Sequence, residues 1–126
     1  MPVSGLSPYD DANIFARILR GEIPTRTVYE DQWALAFHDI NPQAPTHVLV
    51  IPKGSYVSFA DFSAKASEAE IAGFIRAVGK VSKALGLEES GYRLLANMGE
   101  HGGQEVPHFH VHIFGGRPLG RMVPPG

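Results

Sequence analysis

The stretch His108-Phe109-His110-Val111-His112-Ile113-Phe114 alternates an imidazole with an apolar side chain over its whole length. Side chains on an extended strand point alternately to opposite faces. His108, His110 and His112 therefore share one face, and Phe109, Val111 and Ile113 share the other. Neighbouring imidazoles on that face stand about 6.7 Å apart along the backbone. The apolar side can pack on a helix. Nothing in a packed core calls for three histidines at strict period two, so the row is read as functional.

The rest of the chain supplies a frame for this strand. Asp10 or Asp11 can cap a helix over Ala12 to Arg20, closed by Gly21. Thr27–Glu30 and Trp33–His38 flank Asp31-Gln32 and read as a hairpin. Asn41 to Pro45 must be a loop, because Pro42 and Pro45 lack donors. His47 to Ile51 is a short, continuously apolar run closed by Pro52, as expected for a central strand buried on both faces. Ser67-Glu68-Ala69-Glu70 is a capping box. It opens a helix in which Ile71, Phe74, Ile75, Val78, Val81 and Leu85 recur near every 3.6 residues, ending at Gly86. Tyr92 to Ala96 reads as a strand, Gly99 to Pro107 as a Gly-rich connection and His108 to Phe114 as the last strand. Strands outnumber crossover helices, so the expectation is an α+β domain with a mostly antiparallel sheet.

Composition narrows the function classes. At about 150 residues per domain, 126 residues make one domain. Residues 1–10 read as a flexible arm and 11–126 as the domain, with a tail over 115–126. A net charge of −2 argues against a broad nucleic-acid footprint. The absence of Cys excludes disulfides, Cys-ligated zinc and a thiol nucleophile. No apolar run approaches a membrane span and the start has no leader-like pattern, so the expected setting is cytoplasmic. Imidazole can serve as nucleophile, general acid or metal ligand. A three-histidine zinc site wants supporting carboxylates, and only Glu105 is near in sequence. Like charges oppose one another along the row. One neutral nucleophile beside one protonated acid is the state expected near pH 7, suited to attack on phosphorus. No metal or cofactor is expected.

The His-x-His-x-His row followed by apolar residues resembles the signature of the histidine-triad (HIT) family. Asn13-Ile14-Phe15, Glu22-Ile23-Pro24, the run Ala36 to His47, Ile51-Pro52-Lys53 and Gly102-Gly103-Gln104 resemble its HINT branch, as does the closing Pro124-Pro125-Gly126. The resemblance implies two helices and a five-stranded antiparallel sheet that continues across a homodimer. It implies a purine nucleoside phosphoramidase acting on AMP-like substrates. His110 would be the nucleophile on the α-phosphorus, His112 would act near the leaving group, and His108 and His47 would orient the row. Asn97 and the backbone near Gly103 and Glu105 would contact the phosphate. Asp39 would hold the ribose, although by itself it reads as an Asx turn before Asn41-Pro42. Phe15, Ile14, Ile23, Phe37, Ile40 and Leu49 would line the purine pocket, each with a plain core reading beside it. Two features depart from the family pattern: Glu105 stands where many relatives carry Ser or Thr, and the tail lacks a Trp. A dinucleoside polyphosphate hydrolase, a nucleotide-binding regulatory protein with incidental turnover, and a metal-binding protein using the histidine row are the alternative functions.

Overall fold

The computed structural model describes residues 2–124, so Pro125 and Gly126 of the closing motif lie outside the described residues. Five strands form one sheet: β1 (Thr27–Glu30), β2 (Ala34–His38), β3 (Thr46–Pro52), β4 (Arg93–Leu95) and β5 (Val111–Gly115). Their spatial order is β1-β2-β3-β5-β4, and every neighbouring pair is antiparallel. The α+β expectation holds, with β3 at the centre.

Alternation along β3 divides the molecule into two layers. Val48 and Val50 point to one face and join Phe62, Phe74, Ala77, Val81, Phe109 and Ile113 in the main core. Leu49 and Ile51 point to the other and pack with Phe15, Leu35 and Phe37. The long helix α3 (Glu68–Ala84) covers the first face, opened by the expected capping box: Ser67 Oγ accepts from Glu70 N–H while Glu70 accepts from Ser67 N–H. The helix α1 (Ile14–Leu19) contributes Phe15 to the second face.

Two short helices join these: α2 (Phe59–Lys65) and α4 (Gly99–Gly102). The first has a legible signal, Ser58-Phe59-Ala60-Asp61. Ser58 Oγ caps Asp61 N–H, and the Asp61 carboxylate accepts from Val57 N–H. The cap of α1 is Asn13, whose Oδ1 accepts from Ala16 N–H at 2.9 Å, rather than Asp10 or Asp11. Asp10 is spent on the turn before it, where its carboxylate takes Ala12 N–H.

The final strand begins later than the alternation suggests. Its register pairs Val50 with Val111, which would set Pro52 opposite Phe109. Pro52 has no N–H to donate, and its carbonyl accepts instead from His108 Nε2. Phe109 N–H turns to Tyr56 O. His108 and His110 thus precede the ladder, yet the alternation persists. Phe109 stacks on Phe62 at a centroid distance of 4.9 Å, while His110 meets Phe15 on the opposite side at 4.9 Å. The N-terminal stretch, read from sequence as a loose arm, lies along the body: Val3 N–H donates to Gln104 O, and Gly5 O accepts from Ser58 Oγ.

Candidate active site

The three histidines of the row differ in what holds them. His108 is completely buried. Its Nε2 lies 2.8 Å from Pro52 O, and a carbonyl can only accept, so the proton sits on Nε2. Its Nδ1 is then an acceptor and takes the Tyr9 hydroxyl at 2.7 Å. His110 is fixed by the same logic. Its Nδ1 lies 2.8 Å from His108 O and must be the donor. The neutral ring therefore carries an unprotonated Nε2, the atom a nucleophile needs.

His112 takes its tautomer from β3. Gln43 N–H donates to His47 Nδ1 at 3.1 Å, which leaves the proton of neutral His47 on Nε2. That Nε2 is 2.9 Å from His112 Nδ1 and 3.4 Å from Asp39 Oδ2. His112 Nδ1 accepts, so its own proton stands on Nε2. The strands that carry His47 and His112, β3 and β5, are adjacent in the sheet, with His112 paired to Leu49 and His47 to Phe114. His110 and His112 rings stand 5.0 Å apart.

Burial sets the charge of the row. It pushes His108 down to about 4, only partly opposed by the Pro52 carbonyl. It pushes His112 to about 4, helped by repulsion from His110 and His47. Burial also lowers His110, against the pull of the His108 carbonyl and of Asp39. It lowers His47 against Asp39. The expected pairing of a neutral with a protonated histidine near pH 7 is not favoured, because burial holds all four imidazoles below their ordinary range and so favours the neutral form of each. Desolvation costs an imidazolium more than one nearby carboxylate returns.

The other predicted residues divide. Asp39 Oδ1 accepts Asn41 N–H at 2.8 Å, so the Asx turn is present, while Oδ2 faces His47. Phe15 and Phe37 are buried and meet edge to face at 5.7 Å. Ile14 is 47% exposed and Ile40 90% exposed, so the core reading fails for both, whereas it holds for Leu49. Ile23 is half-buried. Asn97 lies two residues past Leu95, the partner of His112, and continuation of that register sets it opposite His110. Gly103 closes α4 at φ +74, a left-handed conformation that favours glycine. Glu105 is exposed, with no side-chain hydrogen bond or ion pair among the described residues.

Sequence reasoning passed over two polar residues. Gln104 is buried, accepts from Gly99 N–H and donates to Val57 O and Val106 O, pinning the Gly-rich loop. Tyr9 reaches the base of the row. Asp39, His47 and His112 each bring a donor atom within 4.8 Å of the others, a grouping that could hold a metal ion. The gap between the two imidazoles is spanned by a hydrogen bond, and a cation would have to displace that proton. Among the described residues no helix is long and apolar enough to cross a membrane.

The sequence profile of the HIT domain matches residues 20–119. An uncharacterised 13.2 kDa HIT-like protein of Azospirillum brasilense is 64% identical over 118 residues, covering 94% of this chain and 97% of that protein. The purine nucleoside phosphoramidase of Escherichia coli (strain K12) is 46% identical over 113 residues, 90% of this chain and 94% of that one. A solved histidine triad protein of Clostridium difficile superposes with a TM-score of 0.82 at 39% identity, covering 92% of this chain and all of the other.

The neutral row makes stability depend on pH. Unfolded histidine titrates near 6.5, and folded His108 near 4. Between these values the unfolded chain binds the extra proton, so stability is full above about pH 6.5 and is lost as pH falls. By pH 4 this makes His108 responsible for about 3 kcal/mol of that loss. Urea unfolding from pH 7 to 4 should show a shallower decline in His108→Asn than in the parent chain. Equal slopes would contradict the assignment.

Proposed function

The chain belongs to the HIT domain family, and on that premise we propose that it is a purine nucleotide-binding hydrolase. Its reaction is cleavage of the P–N bond of adenosine 5′-monophosphoramidates. The observation that carries this reading is the His110 ring, whose Nδ1–H is held by His108 O and whose Nε2 is left free to attack. His110 Nε2 bonds to the α-phosphorus as the P–N bond to the amine breaks. The amine leaves with a proton delivered from the His112 side of the row. Water then cleaves the nucleotidyl-histidine, releasing the nucleoside monophosphate and restoring His110.

The remaining roles follow from placement. The anionic phosphate supplies the charge that the buried row lacks, and so favours a proton on His112 when substrate is present. Asn97 and the backbone near Gly103 and Glu105 contact phosphate oxygens, with the Glu105 carboxylate turned to solvent. Asp39 takes the ribose hydroxyls with lone pairs that its Asx turn leaves free. Phe15 and Phe37 form the floor of a purine site, and the exposed Ile14 and Ile40 with the half-buried Ile23 its walls. The phosphoramidase name of the Escherichia coli relative supports this substrate class.

A homodimer is part of the proposal. The outer edge of β4 has no partner strand among the described residues. Beside it Phe59, Ile75 and Leu94 are exposed around an apolar cleft of about 320 Å³. An unpaired edge next to apolar surface favours pairing with a second copy. Arg93 ties the tail to β4 by a hydrogen bond to Gly120 O.

Three measurements test this reading. In a panel of adenosine phosphoramidates against diadenosine polyphosphates, kcat/KM should favour the phosphoramidates. His110→Ala should lower kcat about a thousandfold, equivalent to about 4 kcal/mol of barrier. A preference for the polyphosphates would instead support the dinucleotide hydrolase. Light scattering should give twice the chain mass, and Leu94→Glu should lower it toward one chain; a monomeric parent protein would refute the dimer.

A further inference from the structure

Tyr9 touches the histidine row from the far end of the chain. Its hydroxyl lies 2.7 Å from His108 Nδ1, and the two rings meet edge to face at 5.7 Å. The tautomer of His108 makes the phenol the donor, because His108 Nε2–H is committed to Pro52 O. Both ring nitrogens of a fully buried imidazole are thereby satisfied, and the ring is clamped between Tyr9 and β3. His108 in turn holds the nucleophile, since its carbonyl accepts His110 Nδ1–H at 2.8 Å.

The segment carrying Tyr9 is itself anchored at two further points. Val3 N–H donates to Gln104 O at 2.7 Å, and Ser58 Oγ donates to Gly5 O at 2.7 Å. Gly5 is buried, and a side chain there would stand 2.6 Å from Met98 Cε. Between Gly5 and Tyr9 the segment borders an open groove of about 510 Å³ shared with Tyr56, Asp61 and Lys65. Discrete anchors, more than continuous packing, therefore hold it. Val3 meets the Gly-rich loop, and Tyr9 meets the row.

We propose that Tyr9 is a positioning residue for the proposed hydrolase reaction: its phenol fixes the His108 ring, and through the His108 carbonyl it fixes the orientation of His110. The inference rests on the functional reading above for its kinetic arm, but its geometric arm does not. Tyr9→Phe keeps the aromatic ring and its edge-to-face contact and removes only the hydroxyl. Nothing in the purine, ribose or phosphate contacts involves Tyr9, so ground-state binding should be unaffected.

The test compares Tyr9→Phe with the parent chain, both well below their unfolding temperatures. Histidine-ring 1H–15N spectra of the ligand-free proteins should show His108 Nδ1 moving toward the value of a nitrogen that accepts no hydrogen bond. The His110 Nδ1–H resonance should shift or broaden. With an adenosine phosphoramidate, kcat should fall about tenfold while KM stays within about twofold. A merely structural Tyr9 would lower thermal stability and leave His110 resonances and kcat unchanged, and that result overturns the proposal. If the parent chain does not turn over phosphoramidates, the functional reading fails, and the His110 resonances alone decide: unchanged resonances refute the Tyr9 role and altered ones support it.

Discussion

A neutral imidazole has one proton for two nitrogens, and in a buried site the partner of one nitrogen dictates the chemistry of the other. Here the partners are backbone atoms. The Pro52 and His108 carbonyls accept hydrogen bonds from His108 Nε2–H and His110 Nδ1–H, and the Gln43 amide donates one to His47 Nδ1. Backbone groups cannot change protonation state, so these tautomers are set by the fold. The free Nε2 of His110 and the donor Nε2 of His112 both descend from that constraint.

The sheet delivers those backbone groups because it stops where it does. A proline at the end of β3 cannot extend the ladder, and this frees a carbonyl for His108. Two of the row's histidines therefore stand in an extended segment just outside the regular pairing, where side chains rather than strand neighbours complete the hydrogen bonding. Phe109, Val111 and Ile113 remain tied to the α3 face, which keeps the imidazoles aligned. The cost of this depth is charge: burial favours the neutral form of every imidazole in the row. On the proposed function, substrate phosphate both receives the attack and raises the proton affinity of the group that assists departure.

Much of this was legible in the sequence where the signal is local. Period-two alternation gave the two faces of the row, Ser67 and Glu70 opened the long helix, and the apolar run to Ile51 marked the central strand. The cap at Asn13 was not, because Asp10 offers the same chemistry three residues earlier and only the turn geometry decides between them. Charge state was not legible either. It depends on how deeply Phe15, Tyr9 and β3 enclose the imidazoles, and depth is a property of the whole fold. The Tyr9 contact spans 99 positions between residues 9 and 108 and leaves no periodic trace. Ile14 and Ile40 look like core residues in sequence, and only their exposure separates them from Leu49.

The central claim is that His110 Nε2 is the atom that attacks phosphorus. It is tested most directly by mixing the protein with an adenosine phosphoramidate, quenching in conditions that preserve a phosphorus–imidazole bond, and mapping the adduct by mass spectrometry. The account predicts a nucleotide mass on the peptide containing residues 108–112, localised to His110 and absent from His110→Ala. An adduct on another residue, or turnover by His110→Ala at the parent rate, would contradict it.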